Sequence, residues 1–334
     1  MKKAPTFLAL LLGAFFLAVC SEVTQAGEYE PGRGLHINDD VRLGGYSFLS
    51  LELRDDKPNS LELGDLSAFL WLRFNSDLKL FSEFELEDSF RIESDGPHTG
   101  KQASQLERLY VEYDSASGFD IKLGKLLTPI GTWNQIHAAP LVWSTSRPFT
   151  TRMFFDTGIT GVQLNRTFLY GGLDVNASVF GQFTDQLDEG DGPQRIRRGI
   201  GGRLLVNHQE QWQLALSYLR FEDEMQDRWE HVLGSDFMYR SERWEFSGET
   251  VVNDPGSGGK ATWGAYLQSV YKTGTRIYPF LRLEHAELDT DSGSPATVGF
   301  AWKYKPNVVF KAEIVAGSGD LKGNGFLSSV AVLF

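Results

Sequence analysis

The sequence predicts an all-β protein: a transmembrane antiparallel β-barrel of sixteen strands. Three observations predict it. Apolar residues recur with a period of two in one segment after another, each about ten residues long, as a strand with one apolar face requires. The connections between these segments alternate between short and long. Aromatic residues gather beside the short connections, on the apolar side of the strands.

The chain opens "MKKAPTFLALLLGAFFLAVCSEVTQA". Lys2 and Lys3, the apolar run from Phe7 to Val19 and the small-residue ending at Ala26 read as a secretory signal peptide over 1–26, which takes no part in the fold. "LAVC" at 17–20 loosely resembles a lipoprotein site, but Val19 is a poor fit for the small residue needed before the cysteine. Cys20 is the only cysteine, so a mature chain of 27–334 has no disulfide and no thiolate metal site. Removing Lys2, Lys3 and Glu22 moves the net charge from −12 to −13, which argues against nucleic acid or anionic headgroups as partners. The mature part has no apolar run long enough for a transmembrane helix. The full chain's 35 glycines and 13% aromatic residues are high for a soluble domain.

Sixteen segments alternate, beginning near 41, 65, 78, 106, 119, 158, 173, 199, 212, 232, 244, 262, 277, 297, 308 and 326. In the first, Val41, Leu43, Leu49, Leu51 and Leu53 oppose Arg42, Tyr46, Ser50, Glu52 and Arg54. In the third, Leu78, Leu80, Phe84 and Leu86 oppose Lys79, Phe81, Glu83, Glu85 and Glu87. In the seventh, Leu173, Val175, Ala177 and Val179 oppose Asp174, Asn176, Ser178, Phe180 and Gln182. Short connections fall at 75–77, 114–118, 207–211, 240–243, 272–276 and 305–307. Long ones fall at 88–104, 127–156, 184–197, 222–230, 253–261, 286–296 and 317–324, and the first, 55–60, is of medium length. A sheet that spans lipid must close, because an open edge leaves unpaired backbone groups in hydrocarbon. Beside the short turns stand Phe74, Tyr113, Phe119, Trp212, Tyr239, Trp244, Tyr271, Tyr304 and Phe334, as an interfacial girdle would. Short turns on one side and long loops on the other mark a barrel of the Gram-negative outer membrane, with the short turns in the periplasm.

The chain ends "FLSSVAVLF" on Phe334. An alternating last strand with a terminal aromatic resembles the C-terminal signal of outer-membrane barrels, and that resemblance implies the barrel-assembly machinery as a partner. In length, strand count, loop order and ending, the mature chain resembles the trimeric general porins, whose third long loop folds into the barrel and narrows the pore. "LGKLLTPIGTWN" leading to "WSTSRP" also looks like porins of the phosphate-selective and related family. The resemblance implies a homotrimer. The subfamily is not fixed.

The third loop, 127–156, departs from the general-porin pattern, in which acidic residues on the loop face arginines on the wall. Its charges are Arg147, Arg152 and Asp156, with His137 able to titrate, while the third strand carries Glu83, Glu85 and Glu87. The expectation is a transverse field of reversed sense, with Arg147 and Arg152 opposite Glu83 and Glu85. Trp133, Trp143, Phe149 and Phe154 with Pro129, Pro140 and Pro148 make the insert stiff and partly apolar. The alternative is a loop that caps the barrel or packs on a neighbouring subunit.

Pore-wall candidates are Glu83, Glu85, Arg108, Glu112, Lys122, Arg203, Arg282, Lys303 and Lys311. Charges facing lipid at mid-depth cost roughly 2–4 kcal/mol for Arg or Lys, so these face inward, either into water or into wall salt bridges with no effect on permeation. The balance of charge leans slightly toward cations. His36, His98, His137, His208, His231 and His285 sit in no G-x-S-x-G or H-E-x-x-H setting, so no catalytic residue, metal site or cofactor is expected. The expectation is a pore for passive diffusion of small hydrophilic solutes or ions. A docking sheath for another protein, or an outer-membrane hydrolase, are the alternatives.

Overall fold

The computed structural model describes residues 28–334 apart from 88–89, 95, 99–102, 137, 188–193 and 257. The leader and His137 lie outside the described residues. Sixteen long strands run in sequence: β1 (Val41–Arg54), β2 (Ser60–Arg73), β3 (Leu78–Glu87), β4 (Ala103–Asp114), β5 (Phe119–Leu127), β6 (Gly158–Tyr170), β7 (Leu173–Gln182) and β8 (Ile196–His208) form the first half. β9 (Trp212–Asp223), β10 (Arg228–Arg240), β11 (Trp244–Asp254), β12 (Thr262–Tyr271), β13 (Ile277–Glu287), β14 (Ser292–Lys305), β15 (Val308–Gly319) and β16 (Gly325–Leu333) form the second. Each pairs antiparallel with its neighbours. β16 closes the sheet on β1, from Gly325 opposite Arg54 to Leu333 opposite Tyr46. Phe334 extends the seam: its N–H donates to the Gly45 carbonyl at 2.8 Å, and its carbonyl accepts from Gly45 N–H at 2.7 Å. Where β16 stops, a short strand, Gly34–His36, takes over its edge and sets His36 opposite Arg42.

The strands that leave short turns begin at 78, 119, 173, 212, 244, 277 and 308, where the alternation begins. Several that descend from long loops begin three to five residues earlier than their alternation: β2 at 60, β4 at 103, β8 at 196, β10 at 228 and β14 at 292. One cause is visible at β2. The pairing steps from Ser47–Leu66 to Leu49–Leu63, so β2 has an extra residue around Gly64 and Asp65 and its alternation breaks there. A seventh short turn is Gly171–Gly172, with φ of 58° and 82°. Two consecutive positive φ angles define the two-residue turn whose twist matches a hairpin, and glycine takes them without steric cost.

Polarity is inside out. Leu216 and Ile314 are each 60% exposed on the outer surface, while Asp236, Arg282 and Glu313 are 2%, 1% and 1% exposed within. The outer face meets lipid and needs apolar side chains. The inner face carries the charges, many of them engaged by each other or by the third loop.

That loop spans 128–157 and lies inside the barrel. Its Ile130, Phe149, Phe154 and Phe155 pack with inward-facing Phe180, Leu219, Phe221, Val232 and Val251 into a dry cluster. Part of the lumen is therefore a hydrophobic core that faces the barrel interior.

Candidate pore constriction

The third loop holds three short helical turns: α1 (Thr132–Gln135), a 3-10 turn over Ala139–Leu141 and α2 (Phe149–Arg152). Pro140 and Pro148 stand at the starts of the second and third, where a missing N–H costs nothing. Gly131 precedes α1 with φ 70° and ψ 150°, a conformation open to glycine. It also lets the backbone approach Glu249, whose carboxylate oxygen would lie 2.8 Å from an added Cβ.

The loop is fastened to the β10–β16 wall, chiefly by its own backbone. Glu249 accepts from Trp133 N–H at 2.7 Å, and Glu284 from Phe149 N–H at 2.9 Å. Glu313 accepts from Thr145 and Ser146 N–H, both at 2.8 Å. Lys311 donates to the carbonyls of Ala139 and Ser144 at 2.6 and 3.0 Å. Arg282 reaches the Ser144 and Ser146 hydroxyls, each at 2.6 Å, and Glu284 at 2.8 Å. The Trp143 indole donates to Glu245 at 2.6 Å. An irregular segment has backbone groups with no sheet or long helix to satisfy them, and these wall charges supply the partners. Charge-assisted bonds of this kind are about twice as strong as neutral ones.

The opposite side of the loop faces β1–β4. The Arg147 guanidinium lies 3.9 Å from Asp65 on β2. Glu85 and Glu107 stand near the same guanidinium. Partial removal from water opposes the charge of Arg147, but Asp65 and these other acidic neighbours outweigh it and hold its pKa above the ordinary arginine value. Arg54, Lys57, Arg147 and Arg152 line a cavity of about 260 Å³ toward the long-loop end. Asp56, Glu284 and Asp320 share that lining, and Arg54 and Lys57 come from β1 and the connection after it, so bases and acids mix along this gap, while Arg147 meets the acidic Asp65.

A continuous arc of aromatic rings runs across β1–β4 toward the short-turn end. Tyr46 lies 5.7 Å from Phe69, Phe69 5.3 Å from Trp71, Trp71 5.4 Å from Phe81, and Phe81 5.5 Å from Tyr110. Ala138 and Ala139 of the loop cover the Tyr46–Phe69–Phe81 part. Arg42 sits 3.9 Å above Trp71, Arg108 4.6 Å above Phe81 and Lys122 5.0 Å from Tyr110.

The residues singled out in the sequence are spread over several parts of the lumen. Arg147 and Glu85 lie near one another, while Glu83 is fully buried and bonded to Arg108 at 2.5 Å, with Arg108 over the Phe81 ring. The nearest carboxylate to Arg147 is Asp65, one strand over from Glu85. Arg152 faces the lumen beside Phe149, in the cavity toward the long-loop end rather than against Glu83. Trp133, Arg203, Arg282 and Lys311 are buried under the loop or in the wall. Arg203 makes a two-pronged pair with Asp236 at 2.7 and 2.8 Å. Glu112 and Lys122 pair at 3.5 Å near the short turns, and Lys303 lies 4.3 Å from the Trp143 ring. Asp156 stands at the root of the loop, away from the gap, accepting from Gly158 N–H at 3.2 Å and Gln186 at 2.6 Å. Burial pushes its carboxyl pKa up despite those bonds.

Sequence reasoning missed Asp65 and Glu107, which sit at irregularities in β2 and β4 where alternation fails. It also missed the inward aromatic arc, although Tyr46 and Phe81 stood on the polar register. Among the described residues, no group of three or more His, Cys, Asp or Glu could hold a metal ion.

A sixteen-stranded antiparallel barrel with its third loop in the lumen is the architecture of the outer-membrane porins. The solved structures this chain is similar to are of that kind. OmpF of Salmonella typhi, in complex with daunomycin, matches with TM-score 0.63 at 12% identity, over 88% of this chain and 97% of that one. The anion-selective porin of Comamonas acidovorans matches with TM-score 0.59 at 16% identity, over 88% and 98%. OmpT, an outer-membrane protein of Vibrio cholerae, matches in its trimer form with TM-score 0.57 at 13% identity, over 88% and 99%. At these identities the likeness shows the fold. An uncharacterized protein of Aquifex aeolicus is 30% identical over 146 residues, 41% of this chain. The match spans about a third, 33%, of that relative's length. No family model matches.

Proposed function

We propose that this protein is an outer-membrane porin, a passive channel for small hydrophilic solutes or ions, with the third loop as its constriction. The observation that carries this reading is the seat of the loop in the lumen. Hydrogen bonds hold it to the β10–β16 wall, Ala138 and Ala139 pack on the aromatic arc, and Arg147 faces Asp65. A barrel this wide has room for an aqueous channel beside such an insert, and charged groups at a constriction set ion selectivity. The field runs from a basic loop to an acidic wall, the reverse of the general-porin pattern. Acids and bases both border the gap, which supports weak selectivity with a slight lean to cations. No catalytic step, metal or cofactor enters this reading.

The apolar outer surface and its girdle suit the outer membrane of a Gram-negative cell, where outer-membrane lipid is the surrounding solvent. Homotrimer formation is supported by the fold it shares with a structure solved in trimer form. The alternating β16 and Phe334 support recognition by the barrel-assembly machinery. The test is single-channel recording of refolded 27–334 in a planar bilayer. Discrete steps in groups of three, with a reversal potential near zero or slightly cation-selective in a salt gradient, are expected. Folded protein that gives no steps sinks the open-channel reading and raises the docking-sheath and hydrolase alternatives.

A further inference from the structure

Three features of the short-turn half of the lumen have no part in fastening the loop or in the charged gap. The first is the uncovered end of the aromatic arc. Trp71, Phe81 and Tyr110 line a cavity of about 350 Å³ that the third loop does not fill. An aromatic face turned to an aqueous lumen gains nothing from water, and inward positions of a wide barrel are ordinarily polar. The second is Arg42. Among the described residues its guanidinium has no ion pair, its Nε is buried without a hydrogen-bond partner, and its carbon lies 3.9 Å above Trp71. The third is His36, which the terminal strand places directly across from Arg42. Its Nε2 is buried and likewise has no partner. Both line the cavity.

We propose that this cavity is a binding site for small aromatic carboxylates. The carboxylate would take the free guanidinium edge of Arg42, in the two-pronged geometry that planar fork suits. The imidazole of His36 would supply a further N–H. The ring would lie along Trp71 and Tyr110, where offset or edge contacts between aromatic groups are favourable. The acids in the same cavity narrow the class further. Asp40 is engaged by Arg73 at 2.9 Å and Glu112 by Lys122 at 3.5 Å, while Asp39 keeps an unengaged carboxylate. A compact polyanion meets too much negative charge here. A monoanion with an apolar body meets one free cation and an aromatic wall. At about 350 Å³ the cavity lies at the small end of the roughly 300–1,000 Å³ typical of ligand pockets, which suits a single ring.

This inference rests on the open-channel reading and is tested so that the two fail separately. Current through single channels is recorded in symmetrical KCl. Benzoate, cyclohexanecarboxylate, acetate or benzylammonium is then added on the short-turn side. Benzoate is expected to interrupt the current at concentrations about tenfold below those needed for the other three. Arg42→Gln and Trp71→Leu are each expected to remove that preference while leaving KCl conductance in place. Equal interruption by benzoate and acetate overturns the site, as does a benzoate preference that survives both substitutions. Steady KCl steps with no benzoate effect overturn the site alone. Absence of KCl steps overturns the channel and the site with it.

Discussion

The β10–β16 wall and the β1–β4 wall both carry inward charges, and they use them differently. On the first, Glu249, Glu284, Glu313, Arg282 and Lys311 bond to the backbone and hydroxyls of the third loop and are nearly inaccessible to water. On the second, Asp65 lies beside Arg147 of the loop and Arg42 lines a cavity the loop leaves open, while Glu83 and Glu85 are as buried as the acids of the first wall. An inward charge on a barrel strand is therefore not by itself a pore charge. Whether a loop backbone covers it decides which role it has.

The largest effect is expected at Arg282. Arg282→Met leaves Glu284 buried without its cation and removes the Arg282 bonds to the Ser144 and Ser146 hydroxyls, leaving Glu313 and Lys311 to hold that stretch. Removing one partner of a buried pair costs about 3–5 kcal/mol. The variant is expected to unfold at markedly lower denaturant in detergent and to show larger, noisier conductance. An unchanged midpoint with unchanged conductance would separate the loop from that wall. A second cut is Gly131→Ala. The backbone there is open to glycine and a Cβ would collide with the Glu249 carboxylate, so a cost of about 1–3 kcal/mol is expected, read from the same denaturant midpoint.

A smaller effect sharpens the picture at the loop root. The folded-state pKa of Asp156 is raised by burial, so protonation favours the folded state. Its contribution is fully present below the ordinary aspartate pKa and is lost as pH rises through the raised value. Asp156→Asn is therefore expected to gain stability relative to the parent near neutral pH, and to gain less in acid. Denaturant midpoints measured at both pH values check the sign.

Much of this was legible in the sequence. Period two set the sixteen strands and placed Glu83, Glu85 and Phe81 on the inner face, because each of those stretches keeps one apolar side against lipid. Turn residues fixed the strand starts at the short-turn end to the residue. Asp65 was not legible, since the extra residue in β2 shifts the alternation at that point. Nor were the roles of Arg203, Arg282 and Lys311. Their inward orientation follows from alternation, but their partners include Asp236, two strands away from Arg203, and loop carbonyls and hydroxyls brought close only by the fold.

The central claim is that Arg147 lies in the ion path, with Asp65 facing it. The measurement is the reversal potential of Arg147→Glu channels in a steep KCl gradient, compared with the parent and with Asp65→Asn. A clear shift toward cations is expected for Arg147→Glu and a smaller shift toward anions for Asp65→Asn. Identical reversal potentials in well-folded variants that still conduct would place the loop outside the path and contradict the account.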